Sequence, residues 1–170
     1  MLLAGDRWQA MFRDFRSEAW RLETLPVYRV PQEADEFARF LAGEPLVVPE
    51  SDDWTKLVRR HRRNGGTVGR VHVLRRPLSD YLRFEFARYY APQVRVGEDI
   101  RILDVTDRGN PLADVQDFWM FDRRTVVLMN YDSDGTQRNR RLYDGDPRPF
   151  IEYQRIALTE SVPFEEYVKG

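Results

Sequence analysis

The strongest constraint on the fold is a pair of apolar segments in the last third of the chain. Residues 118–121 read Phe-Trp-Met-Phe and residues 125–129 read Thr-Val-Val-Leu-Met, with Asp-Arg-Arg between them. Two such segments joined by a short polar turn are typical of a β-hairpin. Because side chains alternate across a strand, apolar residues fall on both faces of this hairpin. We therefore expect either helices that cover both faces or one face left open as an interaction patch.

Amphipathic helices are predicted by apolar residues at helical spacing and by capping signals. The first begins at Asp6, continues through Leu22 and is ended by Pro26, with Asp6 as N-cap and Gln9 as its capping-box partner. Pro31 and Pro77 stand at the starts of the second and fourth helices, where a missing N–H costs nothing. The helices are expected at 6–25, 31–42, 54–63 and 77–90, and from about 150 to 158 or beyond.

Further strands are predicted at 68–74 and 100–105, with an edge strand at 137–142 that could pair in a homodimer. The 170 residues have the length of one ordinary domain. We expect a single α+β domain whose mixed, mostly antiparallel sheet is packed by four to five helices. Residues 1–50 are expected to form a helical N-terminal segment that packs on a core of residues 51–170.

Composition excludes several functional classes. With 27 basic and 28 acidic residues, the net charge of −1 gives no field that would draw the whole molecule to DNA or to an anionic membrane. The absence of cysteine excludes disulfides, thiolate metal sites and cysteine nucleophiles. No stretch reaches the roughly 18 uninterrupted apolar residues of a membrane span, and no targeting segment is visible. A cytoplasmic protein without a membrane partner is therefore expected.

A basic segment offers a candidate surface for a partner. Between Trp54 and Ser79 there are eight basic residues and no acidic one. Four of the arginines lie at the expected end of the third helix, where cations also favour the negative end of the helix dipole. The segment is either a solvated surface or a patch that meets phosphates or an acidic protein face. The candidate partner-binding residues are Lys56, Arg59, Arg60, Arg62, Arg63, Arg75 and Arg76.

The sequence offers few candidate residues for histidine or carboxylate chemistry. The two histidines are His61, in a basic run expected at a solvated helix end, and His72, in the middle of a predicted strand. No acidic residue stands at the helical spacing of a metal pair with His61, so a zinc site is not expected. Acidic residues between 98 and 122 are typical of turn-stabilising aspartates rather than of a Mg²⁺ site. We therefore expect no metal, no cofactor and no assembled catalytic set.

Several segments resemble a family of small actinobacterial proteins of unknown function. Members of that family are typically encoded beside helix-turn-helix regulators, so the resemblance implies an actinobacterial source and a regulatory neighbourhood, with no known activity. The segments that carry it are 20–23 (Trp-Arg-Leu-Glu) with Tyr28, 70–73 (Arg-Val-His-Val), 77–82 (Pro-Leu-Ser-Asp-Tyr-Leu), 97–100 (Gly-Glu-Asp-Ile) and 117–122 (Asp-Phe-Trp-Met-Phe-Asp).

The order of predicted elements from the third helix to the hairpin is similar to one half of the phospholipase D superfamily. That family's signature is His-x-Lys followed by an Asp on the first strand of the hairpin. With Asp122 at the position of that Asp, Val115 stands for the His and Asp117 for the Lys. The resemblance therefore implies the fold without the phosphodiesterase nucleophile.

Three functions are compatible with these observations. We expect first a non-catalytic accessory or sensor module of a transcriptional regulator, which binds that helix-turn-helix protein and a small ligand. The alternatives are a divergent phosphodiesterase or metal-dependent hydrolase that uses His72 with Asp117 and Asp122, and a nucleic-acid-binding protein that uses the basic segment. The near-zero net charge disfavours direct nucleic-acid binding.

The phospholipase D-like resemblance implies a ligand pocket between the Gly65-Gly66 turn and the hairpin. The candidate ligand-binding residues of that pocket are Arg70, His72, Asp117, Trp119 and Asp122.

Overall fold

A seven-stranded mixed sheet forms the centre of the computed structural model, which describes residues 1–170. The strand order is β6-β5-β4-β1-β2-β3-β7. The pairs β1–β2 and β2–β3 are parallel and the other four pairs are antiparallel, which confirms the expected mostly antiparallel α+β architecture. The strands are β1 (Glu18–Glu23), β2 (Thr67–Leu74), β3 (Asp99–Asp104), β4 (Phe118–Phe121), β5 (Thr125–Tyr131), β6 (Gln137–Leu142) and β7 (Val162–Pro163).

Seven short helices accompany the sheet, where five at most were expected. A 3₁₀ turn (Pro31–Glu33) leads into α2, and a π turn (Phe86–Tyr90) joins α4 to α5. None of these helices combines the length and apolar character needed to cross a membrane. The helices are α1 (Gly5–Asp14), α2 (Ala34–Leu41), α3 (Asp53–Arg63), α4 (Asp80–Glu85), α5 (Ala91–Val96), α6 (Arg148–Glu160) and α7 (Phe164–Lys169).

The predicted hairpin is confirmed as β4 and β5, and both of its faces are buried. Phe118 and Met120 pack in a cluster against α6, where the Phe118 and Phe150 rings meet edge to face. Trp119 and Phe121 point to the opposite side and pack against α1 and α3. Helices therefore cover both faces of the hairpin, which is the first of the two outcomes expected for it.

The prediction of a first helix extending to Leu22 is wrong. Helix α1 ends at Asp14, and the residues that follow form β1, which lies between β4 and β2. Ala19, Trp20 and Leu22 are all buried, so apolar side chains occupy both faces of this segment, as in a central strand. Asp6 does not cap the helix either, because the N-cap is Ala4 and no side chain bonds there. Residues 1–50 thus contribute a central strand as well as helices.

The fourth predicted helix differs from the structure in both of its ends. It begins after Ser79, whose hydroxyl accepts a hydrogen bond from the N–H of Leu82. Pro92, two residues beyond the predicted end at Tyr90, lies in the first turn of α5, so the helical segment continues past that end. A proline lacks the N–H that would continue an α-helical ladder, and the π turn immediately before it takes up this interruption. Gly97, with a φ of 107°, ends α5.

The two faces of the sheet are covered differently. Helix α6 packs against one face over an apolar cluster that draws on β1, β2 and β4. On the other face, α1 and α3 cover the β4–β5 end, while α4, α5 and α7 cover the β2–β3 end. A cleft opens between these two groups of helices, over the middle of β1 and β2.

The turn between β4 and β5 is tied to the start of β1 by Asp122. Asp122 and Arg123 have φ values of 55° and 53°, as in the primed turns that suit the twist of a hairpin. The Asp122 carboxylate accepts hydrogen bonds from the backbone N–H groups of Arg16, Ser17 and Glu18 at 2.7–3.2 Å. Although partial burial opposes ionisation, these donors lower the pKa of Asp122 to about 2.

We predict that Asp122→Asn destabilises the protein, because asparagine keeps the positive φ but removes the charge that three N–H groups face. Urea unfolding at pH 7 is expected to show a loss of about 1–2 kcal/mol. Since the folded-state pKa is depressed, this difference is present above the unfolded pKa of about 4 and shrinks as the pH falls towards 2. Asp107→Asn, on an exposed loop, is the control. A pH-independent difference would contradict this account.

Candidate functional site

The cleft between the two groups of helices has a volume of about 910 Å³. Its floor is the face of β1, β2, β4 and β5 that carries Arg21, Glu23, Arg70 and Trp119. Its walls are aromatic, with contributions from α1, α3, α4 and the segment before α2. The aromatic lining residues are Trp8, Phe12, Tyr28, Trp54, Tyr81, Tyr89, Trp119 and Tyr131.

Arg70 is the central cation of the cleft floor. Its Nη1 lies 2.5 Å from Glu23 Oε1 and its Nε lies 2.7 Å from Glu98 Oε2. Glu98 also accepts a hydrogen bond of 2.7 Å from the indole N–H of Trp54 on α3. Both glutamates are almost fully buried, so Arg70 is the cation that pairs with Glu98, and it shares Glu23 with Arg21, whose Nε lies 3.7 Å from Glu23 Oε1.

A second arginine, Arg21, lies beside the first. Its Nη2 donates a hydrogen bond of 2.8 Å to Tyr131 Oη and lies 3.5 Å from Asp117 Oδ2. Asp117 is buried beneath the floor, where it accepts hydrogen bonds from Tyr28 Oη, at 2.5 Å, and from Thr24. The Asp117 carboxylate therefore holds the segment after β1 in place and supports Arg21 from below.

His72 lies fully buried at the inner end of the cleft, between two glutamates. Its Nε2 is 2.9 Å from the carbonyl oxygen of Leu25, and its Nδ1 is 2.9 Å from Tyr90 Oη. The same Nδ1 lies 3.3 Å from Glu85 Oε1 and 3.5 Å from Glu23 Oε2. Strands β1 and β2 and helix α4 thus bring one imidazole and two carboxylates together.

The environment separates the acidities of these two glutamates. Burial would raise the pKa of Glu23, but the charges of Arg21 and Arg70 hold it well below its ordinary range. Burial and then the negative charge of Glu23 raise the pKa of Glu85 to about 7. For His72, burial opposes the imidazolium, yet the neighbouring carboxylates of Glu85 and Glu23 raise its pKa. A pair of acids with divergent pKa values in a cleft is typical of functional sites.

Four buried polar atoms at the cleft have no hydrogen-bond partner: Arg21 Nε, Arg140 Nε, Glu85 Oε1 and Gln93 Oε1. Arg140 stacks over the Trp8 ring, with 4.8 Å between its guanidinium carbon and the ring centroid. Burial, and then the neighbouring charge of Arg21, lower the pKa of Arg140 despite an opposing effect of Tyr131. Unsatisfied buried groups are costly, so their clustering at one cleft indicates a place for a ligand.

The structure separates the five ligand-binding residues expected from the sequence. Arg70 and Trp119 line the cleft, whereas His72 and Asp117 lie buried beneath its floor. Asp122 is in the β4–β5 turn and bonds to the backbone of residues 16–18. The set of His72, Asp117 and Asp122 expected for a hydrolase therefore does not assemble, because these three side chains bond to different partners.

Sequence reasoning missed Arg21, Glu23 and Glu85. Arg21 and Glu23 were assigned to a helix, in which residues two positions apart do not share a face. In a strand, residues two apart share a face, so correct recognition of β1 would have placed both beside Arg70 and His72. Glu85 gave no signal, because one glutamate within an amphipathic helix is ordinarily solvated.

The basic segment does not form one surface. Lys56, Arg59, Arg60, Arg62 and Arg63 are exposed on α3, near the start of β2. Arg75 and Arg76 follow the end of that eight-residue strand, which spans roughly 26 Å. Arg75 donates to the carbonyl of Val105, and Arg76 bonds to Tyr167.

His61 was expected at a solvated helix end, and this is also wrong. Its ring is buried and stacks on Phe15 with 3.7 Å between centroids, while Nε2 lies 2.7 Å from the carbonyl oxygen of Phe12. The helix turns this face towards α1, so His61 joins two helices rather than contributing to the basic surface.

The family model for a domain of unknown function, DUF6879, matches residues 6–169. The chain belongs to this family. The expected membership of a family of unknown function is thereby confirmed, while the actinobacterial source and the neighbouring regulator stay predictions.

Among solved structures, this DUF6879 member is similar to a phospholipase D family member, Nuc from Salmonella typhimurium, with a TM-score of 0.49 and 12% identity. The similarity covers 94% of this chain and 91% of that one. No activity carries over at this distance. No curated protein matches the sequence of this DUF6879 member.

We predict that Arg70→Leu destabilises this DUF6879 protein by about 3–5 kcal/mol, because it leaves Glu98 buried without its cation and leaves Glu23 with only the more distant Arg21. Arg138→Leu, which removes an exposed partner of Asp132, is expected to cost less than about 1 kcal/mol. Urea unfolding of both variants at pH 7 measures the contrast. Adding Glu98→Gln to Arg70→Leu is expected to recover part of the lost stability. Equal losses of stability in Arg70→Leu and Arg138→Leu would refute the central place of Arg70.

Proposed function

We propose that this protein is a cytoplasmic ligand-binding accessory module, which takes a small anionic molecule with a flat apolar part and works with a helix-turn-helix regulator. The observation that carries the ligand proposal is the unpartnered Nε–H of Arg140, held buried against Trp8 at the edge of the cleft. An anionic group there would accept this hydrogen bond and would compensate a cation that has no carboxylate partner.

The charge of the lining supports an anionic ligand. Six arginines line the cleft, against four acidic residues. Arg70 and Arg21 are already compensated at the floor, whereas Arg13, Arg60 and Arg140 lie towards α1 and β6. The planar guanidinium group is well suited to bidentate recognition of a carboxylate or phosphate.

The aromatic walls support a flat apolar part in the same ligand. Phe12 contacts both Trp54 and Trp119 edge to face, and Arg21 and Arg70 lie near the rings of Tyr28 and Trp54. A pocket of several hundred Å³ with apolar walls and a few directed polar groups is typical of small-molecule sites. Orientation would come from the arginines and burial from the aromatic rings.

We predict that 2-naphthoate binds to the protein more tightly than its neutral counterpart 2-naphthamide. The ratio is expected to be about tenfold, which corresponds to one charge-assisted hydrogen bond. In Arg140→Gln this preference should fall to less than about threefold, and calorimetric titration of both probes measures it. Arg138→Gln, an exposed arginine on the same strand, should keep the wild-type preference. Equal affinity for the two probes in the wild-type protein would refute anion recognition at this cleft.

The regulator part of the proposal rests on the family resemblance and on the cations of α3. Lys56, Arg59 and Arg63 are exposed on this helix, and Arg62 holds the carbonyl oxygen of Gly97. A group of exposed cations increases the association rate with an acidic protein face more than it increases affinity. We propose that this part of α3, without Arg75 and Arg76, is the surface that meets the regulator.

We predict that a helix-turn-helix protein copurifies with the tagged wild-type chain from its host and is lost when Lys56, Arg59 and Arg63 are changed to Glu. The control is the reversal of three exposed arginines elsewhere, Arg39, Arg124 and Arg141. Mass spectrometry of the captured material at 50 and 200 mM salt measures both. Equal loss in the two triple variants, or no helix-turn-helix protein with any bait, would argue against this surface.

A further inference from the structure

We propose that Glu23, His72 and Glu85 form a binding site for one zinc ion at the inner end of the cleft. The three residues come from β1, β2 and α4, and each offers one ligand atom. These three atoms lie within 4.8 Å of one another, and all three residues are buried. The site is independent of the anionic ligand proposed above, which would lie towards Arg140.

The distances between these atoms suit a small divalent ion. Ligands at 2.0–2.2 Å from zinc in tetrahedral geometry lie roughly 3.4 Å apart. His72 Nδ1 lies 3.3 Å from Glu85 Oε1 and 3.5 Å from Glu23 Oε2, so two of the three edges already have this length. The two carboxylate oxygens lie within 4.8 Å of each other, so an ion at the centre would require one carboxylate to move towards the other.

The histidine is oriented as in metal sites. The carbonyl oxygen of Leu25 can only accept a hydrogen bond, so the contact of 2.9 Å fixes the proton on Nε2 of the neutral ring. Nδ1 then carries the lone pair. It faces Tyr90 Oη at 2.9 Å and lies within 3.5 Å of both glutamates, so a bound ion would take the place of the Tyr90 contact. A metal-ligating histidine almost always donates its other N–H to a carbonyl or carboxylate in this way, which fixes its tautomer.

The carboxylates carry an excess of negative charge that a divalent ion would cancel. Within the buried cluster, Arg21 and Arg70 face four acidic groups, namely Glu23, Glu85, Glu98 and Asp117. A divalent ion that displaced the protons of Glu85 and His72 would meet four carboxylates and two arginines, so its two positive charges would balance the cluster.

The unpartnered atom is the independent sign that something binds here. Glu85 is 94% buried, and its Oε1 accepts no hydrogen bond although it points at His72 Nδ1. Glu23 and Glu85 also line the cleft, so an ion could enter from that side and keep an open position towards it. Imidazole with carboxylates and no thiolate is a donor set that accepts zinc.

The test is titration of the metal-free protein, prepared with EDTA and then dialysed, with ZnCl₂. Calorimetry is expected to give one ion per chain, and the ¹⁵N signals of the His72 ring are expected to shift. Because His61 and His72 are the two histidines of the chain, His61 serves as an internal reference whose signals should stay unchanged. Zinc should also raise the melting temperature of the wild-type protein.

Glu85→Gln should weaken zinc binding by at least tenfold and abolish the increase in melting temperature. This variant removes a like charge beside Glu23, so it is expected to fold. The matched control is Glu33→Gln, a glutamate of the same cleft that bonds to Tyr81 instead, and it should bind zinc as the wild type does. Binding that is equal in both variants, a shift of His61 rather than His72, or no binding at micromolar zinc would overturn the proposal.

Discussion

The cleft side of this fold depends on one buried cation, Arg70, and on the two buried carboxylates with which it pairs. From the middle of β2 its guanidinium reaches Glu23 on β1 and Glu98 just before β3, so a single side chain links three adjacent strands. Trp54 donates to the same Glu98 and thereby draws α3 to this cluster. A charge buried at this depth is tolerated only when others satisfy it, and here each member of the network depends on the next.

The same network explains why the two faces of the sheet look so different. The face under α6 carries Trp20, Leu22, Val71 and Phe118, and a single amphipathic helix can seal it. The opposite face changes from apolar to charged within the length of β1 and β2. An apolar helix laid across those charges would strip them of their remaining polar contacts, so the covering helices stop on either side. The cleft is the gap that results.

The sequence revealed those parts of the fold whose patterns are local. The hairpin, β2, β3, α3 and α6 were recognisable because an alternation or a helical stripe identifies each of them alone. Strand β1 was not, because Ala19 and Leu22 also continue the helical spacing of the residues before them, and only pairing with β2 and β4 makes this segment a strand.

The residues of the site divide in the same way, into those that a local pattern identifies and those that it does not. Arg70, His72 and Trp119 were found as members of recognisable strands, although the pocket that they were assigned to also included Asp122. Arg21 and Glu23 were missed together with β1, and the burial of Glu85 depends on the packing of α4 against strands far away in sequence. Residues whose role comes from distant partners leave little trace in a single sequence.

The position of β1 also has a consequence for how the chain reaches this structure. Leu22, near the N-terminus, pairs with Phe118, so the middle of the sheet closes only when segments from most of the chain have met. Contacts between residues so distant in sequence make folding slow, because the entropy of closing the loop is lost before the contacts form. During synthesis, β1 has no strand to pair with until β2 leaves the ribosome. Its second partner, β4, follows later. Its apolar residues therefore stay exposed for most of translation, which makes this segment the one most in need of protection from aggregation.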